Sequence, residues 1–151
     1  MNTGFSVRVL EANSFSNYYT IEELLIHPYD ILKKKDQIYG SWVYISEPGV
    51  FILDLGEATQ VDGIELQNIH YEGKERHAKE VKVFLSDSEK GPWHEIMSEV
   101  LPDTRNDAED LPILHFATTG QTLGQYLKCE ILSHYGKYGG LDYFGLYTGN
   151  I

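Results

Sequence analysis

The sequence predicts an all-β fold, seven or eight short strands forming a sandwich or barrel. Three observations predict it: hydrophobic residues alternate with polar ones along most of the chain, turn-forming residues punctuate the alternating runs, and only one stretch has helical spacing. A length of 151 residues suits one domain with its own core, so a single domain over residues 1–151 is expected.

The elements follow in order. Phe5 to Leu10 alternates Phe5, Val7 and Val9 with Ser6, Arg8 and Leu10. Thr20 and Glu23 match a capping box, with Ile21, Leu24 and Leu25 at helical spacing behind it, so one short N-terminal helix is expected before Pro28. Val50 to Leu55 places Phe51, Leu53 and Leu55 on one face and Asp54 on the other, and Gly56 then permits a turn. Val61 to Tyr71 carries Ile64 and Leu66 on one face against Glu65 and Gln67. In Glu80 to Ser86, Val81, Val83 and Leu85 oppose Lys82 and Phe84, and Asp87, Ser88, Gly91 and Pro92 make a turn.

Trp93 to Leu101 and Ile113 to Ala117 read as two further strands, separated by an acidic loop with Asp103, Asp107, Glu109 and Asp110. Gln125 to Ser133 is the clearest strand, with Leu127, Cys129 and Ile131 opposite Lys128 and Glu130. Gly140 to Thr148 is the last.

Composition narrows the function. With 42% hydrophobic and 13% aromatic residues the chain is a folded domain rather than a disordered one. Twelve basic residues against 23 acidic ones give a formal net charge of −11. Nucleic acid and anionic membrane surfaces are therefore not expected partners, because both need clustered Lys and Arg. The one basic run, Lys33 to Lys35, is followed at once by Asp36. No apolar stretch is long enough to span a bilayer as a helix, and no signal-peptide pattern or Asn-x-Ser/Thr sequon is present. A single cysteine excludes an internal disulfide. Together these favour an intracellular location, although a domain cut from a longer secreted chain would read the same way.

Catalytic signatures are missing. There is no G-x-S-x-G, phosphate-binding loop, G-x-G-x-x-G or His-Glu-x-x-His, so the chain is not expected to be an enzyme. The six histidines have no helical i, i+4 pair and read as surface or hydrogen-bonded residues. Cys129 alternates with core residues and reads as a small buried hydrophobe. The carboxylates after Asp103 are a poor calcium loop: Arg105, Ala108 and Leu114 stand where a ligand, a turn glycine and a bidentate glutamate are needed.

Two connections concentrate chemistry. Ile69 to Lys79 contains His70, Tyr71, Arg76 and His77, and Ser133 to Gly140 contains His134, Tyr135, Lys137 and Tyr138. Brought to one end of a sandwich, they would line a pocket suited to a sugar: an aromatic face covers the C–H patch while His, Arg and Lys bond the hydroxyls. The same tyrosines and glycines would equally build a tight packed hairpin.

An ordered series of motifs resembles the discoidin domain, also called the coagulation factor type C domain, of the galactose-binding-like jelly-roll group. It runs through Phe51-Ile52-Leu53-Asp54-Leu55-Gly56, Val61-Asp62-Gly63-Ile64-Glu65-Leu66, Val81 to Ser88, Gly91-Pro92-Trp93, Tyr126 to Ile131 and Gly139 to Tyr147. The N-terminal part matches more loosely, through Ala12-Asn13-Ser14 and Trp42. The resemblance implies an antiparallel jelly-roll β-sandwich and a non-catalytic module that grips ligands with loops at one end. Read physically, the Leu127, Cys129, Ile131 face is expected to meet the Phe51, Leu53, Leu55 face across the sandwich, and Trp93, after a Gly-Pro turn, is expected to be a core or edge anchor.

Members of the family often hold calcium. Here Asp30 and Asp36 stand without the usual pattern and Gly145 replaces a late glutamate, so no cofactor is expected. The reading is lectin-like glycan recognition through Trp42, His70, Tyr71, Arg76, His77, His134, Tyr135, Lys137 and Tyr138. The alternative is a structural subunit whose tyrosine-rich loops dock onto a protein partner in a larger assembly.

Overall fold

The structure, a computed structural model, describes residues 8–12, 42–44, 49–68, 77–103, 113–136, 139–141 and 143–147. Ten strands lie within these residues: β1 (Arg8–Ala12), β2 (Trp42–Tyr44), β3 (Gly49–Gln60), β4 (Gly63–Gln67) and β5 (His77–Ser86) come first. They are followed by β6 (His94–Val100), β7 (Leu114–Ala117), β8 (Leu123–Tyr135), β9 (Gly139–Leu141) and β10 (Tyr143–Tyr147). The expected helix at Thr20 to Leu25 lies outside the described residues.

The strands form a five-stranded sheet in the order β1-β3-β8-β5-β6, a three-stranded sheet β10-β4-β7 and a two-stranded ribbon β2-β9. All pairings are antiparallel. Inward-facing residues of the two larger sheets merge into one core. Phe51, Leu53, Leu55, Val81, Val83, Leu85, Leu127, Cys129 and Ile131 come from one sheet, and Ile64, Leu66, Phe144 and Leu146 from the other. Phe51 and Phe144 meet edge to face across the sandwich, with ring centroids 5.0 Å apart. Burial at about 25 cal/mol per Å² of apolar surface makes this core the main source of stability.

The period-two pattern is realised on β3, β4, β5 and β8, whose apolar faces are those read from the alternation. One expectation is corrected. The Leu127, Cys129, Ile131 face does not lie across the core from Phe51, Leu53 and Leu55. β3 and β8 are hydrogen-bonded neighbours, with Phe51 opposite Cys129 and Leu53 opposite Leu127. Alternation shows which face of a strand is buried, but a neighbour in the same sheet and a strand in the facing sheet present the same pattern.

Gly56 is also corrected: it does not end its strand. It sits within β3 at φ 89°, where the register with β8 shifts between Asp54 and Thr59. The Asp54 carboxylate holds this bulge, accepting from the Gly56 N–H at 2.8 Å, from Gln125 Nε2 at 3.0 Å and from Arg8 at 3.0 Å. Donation by Gln125 and Gly56, followed by the Arg8 guanidinium, lowers the Asp54 pKa below its ordinary value.

Trp93 anchors the outer side of the five-stranded sheet, where Lys128 Nζ lies 4.9 Å from the indole and 4.8 Å from the Phe84 ring. Lys128 also pairs with Glu130 at 3.1 Å. Gly91, which precedes the Pro92-Trp93 pair, adopts φ 91°, and the indole would lie 3.0 Å from any Cβ there. The positive φ favours glycine there, and the indole leaves little room for a side chain.

Candidate functional site

β5 and β8 pair along most of their lengths, and the pairing ends with Ala78 opposite His134 and His77 opposite Tyr135. The 69–76 connection enters the sheet at His77, and the chain leaves it just beyond Tyr135 at Gly136, which takes φ 85°. The roots of the two chemistry-rich connections are therefore adjacent, at one corner of the sandwich.

Three further strands reach that corner. β9 begins directly after the second connection and contacts both β5 and β8. β2 pairs with β9, placing Tyr44 opposite Gly139 and Trp42 opposite Leu141. β4 ends at the same corner through Asn68, which sits just past its last residue and is 4% exposed. The Ala78 N–H donates to Asn68 Oδ1 at 2.9 Å, and Asn68 Nδ2 donates to the Ala78 carbonyl at 3.3 Å. One buried amide thus replaces a piece of strand pairing and ties together the two ends of the 69–76 connection.

Of the residues selected from sequence, the structure brings together His77, His134 and Tyr135, with Trp42 on the neighbouring ribbon. His70, Tyr71, Arg76, Lys137 and Tyr138 lie outside the described residues, as do Asp30 and Asp36. His77 is buried, and His134 and Tyr135 are half-buried.

Tyr135 is fixed in place. Its hydroxyl donates to the Leu101 carbonyl at 2.9 Å, and the Leu101 N–H in turn donates to the Lys79 carbonyl at 2.7 Å. The Lys79 ammonium stands 5.6 Å from the centre of the Tyr135 ring. Beside it, Ser133 donates its hydroxyl to Glu80 at 2.9 Å. Sequence reasoning missed Asn68 and Lys79. Asn68 follows a strand and precedes a polar loop, where an asparagine is unremarkable until its partners are seen. Lys79 reads as an ordinary exposed residue until Tyr135 is placed beneath it.

Elsewhere, burial pushes the Cys129 thiol pKa up, consistent with a core residue rather than a nucleophile. Among the described residues no group of three or more His, Cys, Asp or Glu side chains is placed to hold a metal ion. No described helix is long and apolar enough to cross a membrane.

No protein-family model matches the chain, and no curated protein matches it by sequence. Solved structures do match it. A family 32 carbohydrate-binding module from C. perfringens NanJ, in complex with galactose, superposes with a TM-score of 0.68 at 10% identity, covering 95% of this chain and 93% of that one. The family 32 module from Streptococcus pneumoniae EndoD gives a TM-score of 0.71 at 11% identity, covering 95% and 97%. A Clostridium perfringens module, CpGH89CBM32-5, in complex with GalNAc-β-1,3-galactose, gives 0.64 at 11% identity, covering 95% of each chain. The likeness is one of fold. This chain shares with them the antiparallel jelly-roll β-sandwich fold that its motifs imply.

Proposed function

We propose that this domain is a non-catalytic glycan-binding module whose site lies at the corner where the 69–76 and 136–138 connections are rooted. The observation that carries the reading is the terminal β5–β8 pairing of His77 with Tyr135, which roots both connections side by side. Solved modules of the same fold hold galactose and GalNAc-β-1,3-galactose, which directs the proposal to galactose-type sugars.

Each residue has a role in this reading. Tyr71 or Tyr138 stacks on the C–H face of the sugar, and His70, Arg76, His134 and Lys137 exchange hydrogen bonds with its hydroxyls, while His77, which is buried, supports the corner from beneath. Tyr135, immobilised by Leu101, forms a rigid wall, and Trp42 contributes from β2–β9. A rigid wall lowers the ordering cost of binding, which matters for a small polar ligand with few atoms to contribute affinity.

The test is a glycan array with the domain, run with calcium and again with chelator, followed by calorimetry on Tyr138→Ala and Arg76→Ala. Binding to galactose-type glycans is expected, weakened in both variants without loss of folding. A blank array under both conditions overturns the glycan reading. Unchanged affinity in both variants overturns the placement of the site.

A further inference from the structure

We infer that the outer face of the three-stranded sheet carries a second sugar site, built by Tyr147, Glu65 and His115 and suited to a neutral pyranoside with adjacent hydroxyls. It goes beyond the corner reading above and does not depend on it, because the two sites share no residue.

Register places the three side chains together. Ile64, Leu66, Phe144 and Leu146 point into the core, and Leu114 and Phe116 pack against it, so Gly63, Glu65, His115, Ala117 and Tyr147 face outward. Glu65 on the central strand β4 lies opposite His115 on β7. Tyr147 on β10 lies opposite Gly63, one outward position along from Glu65. Its ring reaches over Gly63, where Cζ, Cε2 and Oη fill the space a Cβ at residue 63 would need. The glycine therefore gives the ring its seat.

The His115 and Tyr147 rings stand 6.3 Å apart at 52° to each other. Burial and the neighbouring Glu65 carboxylate raise the Tyr147 pKa above its ordinary value, in keeping with that placement. His115 is exposed, and Glu65 and Tyr147 are half-buried.

The carboxylate carries the argument. Among the described residues, Asp54, Asp62, Glu65 and Glu130 are the acidic side chains that are buried or half-buried. Asp54 accepts from Gln125 and Arg8, Asp62 accepts from Gln60, and Glu130 pairs with Lys128. Glu65 has no hydrogen-bond or ion-pair partner among them. A partly desolvated anion without a donor favours a ligand that brings donors. Two adjacent sugar hydroxyls supply them, one to each oxygen, while His115 bonds a third hydroxyl and the Tyr147 ring covers C–H groups. An acidic sugar would meet Glu65 with like charge, so the site selects neutral rings.

The site is also held in advance. The Asp62 N–H donates to the Tyr147 carbonyl at 3.0 Å, and the Thr118 N–H donates to the Asp62 carbonyl at 3.1 Å, which clips β10, β4 and β7 together at this end. A clipped frame lowers the ordering cost of binding. Gly63 and Asn68 lie at opposite ends of β4, roughly 16 Å apart at strand spacing, so this site is distinct from the corner.

The test is amide NMR of the full chain, titrated separately with methyl β-galactoside and methyl β-glucoside, on the wild type, Glu65→Gln, His115→Ala and Tyr147→Leu. With at least one of these sugars the amides of Glu65, His115 and Tyr147 are expected to shift together, with a Kd of about 1–10 mM. Glu65→Gln weakens that titration about tenfold, and His115→Ala and Tyr147→Leu weaken it about threefold to tenfold. Glu65 and His115 lie outside the core, so their variants keep the test open if Tyr147→Leu fails to fold. Any shifts at His134 and Tyr135, which report the corner, follow the wild-type titration in all three variants.

A wild type in which neither sugar moves the Glu65, His115 and Tyr147 amides overturns the second site, whatever the corner amides do. So does an affinity at those amides that Glu65→Gln and His115→Ala leave unchanged. Shifts on the sheet face with none at the corner support the second site and count against the corner reading.

Discussion

Replacing Asn68 tests whether one buried amide organises the corner where the two connections are rooted. Its side chain is 4% exposed and makes two hydrogen bonds with the backbone of Ala78, one in each direction. In Asn68→Ala the Ala78 N–H and carbonyl both lose a partner in a place water reaches poorly. Each abandoned buried group costs about 1–3 kcal/mol, and the bonds are not additive, so a loss of about 2–4 kcal/mol is expected. For a domain of this size that lowers the Tm by roughly 5 to 15 °C.

Asn68→Asp separates hydrogen bonding from simple loss of packing. The ionised carboxylate keeps an acceptor for the Ala78 N–H but turns a lone pair toward the Ala78 carbonyl. The protonated acid restores the donor. Burial and that carbonyl raise the folded pKa above an unfolded value near 4. An acid raised on folding contributes stability below its unfolded pKa and loses it as pH climbs through the folded one. Relative to wild type at each pH, the Asn68→Asp variant is therefore weakest at neutral pH and recovers toward pH 4.

Urea denaturation across pH measures both variants. An Asn68→Ala loss under about 0.5 kcal/mol, the scatter of ordinary surface substitutions, would refute the argument. So would an Asn68→Asp penalty that does not change with pH.

Three further outcomes are expected. Asp54 has a depressed folded pKa, so its contribution is present above the ordinary value of 3.8 and is lost as pH falls through and below it. Acid titration of stability should therefore show a flatter profile in Asp54→Asn. Phe51→Ala and Phe144→Ala should each cost about 3–5 kcal/mol in chemical denaturation. Their double-mutant cycle should return a coupling of about 0.5–1.5 kcal/mol from the edge-to-face contact, and zero coupling would show the rings do not interact. A Cβ on Gly63 would overlap the hydroxyl end of the Tyr147 ring, 2.2 Å from Cζ, so Gly63→Ala should destabilise by about 1–3 kcal/mol. That cost should largely vanish in a Tyr147→Ala background, and an equal penalty in both backgrounds would point to the backbone instead.

Much of the architecture was legible along the chain because strands half-buried in a sandwich must alternate. Val81, Val83 and Leu85, or Leu127, Cys129 and Ile131, announce their inward face without any knowledge of neighbours. The turn after Ser86 is equally local, since Ser88 and Gly91 close it with bonds spanning two or three residues. The candidate corner was legible only as composition, two loops rich in His, Tyr and cations at distant places in the sequence.

Pairing was the part that alternation did not carry. A strand's pattern of burial has one bit per residue, inward or outward, and that bit is the same for a neighbour and for a strand in the facing sheet. So β3 beside β8 emerged only from the hydrogen-bond ladder, as did the short β2 strand, whose three residues are too few to show a period. The same holds for the site. Asn68 reaches Ala78 ten residues on, Tyr135 reaches Leu101 thirty-four residues back, and Lys79 comes to stand over Tyr135. By itself the sequence determined a β-sandwich with two connections rich in polar and aromatic residues. The tertiary structure decided that the roots of those loops share one corner, because β5 and β8 chose each other as partners and ended their ladder at His77 and Tyr135.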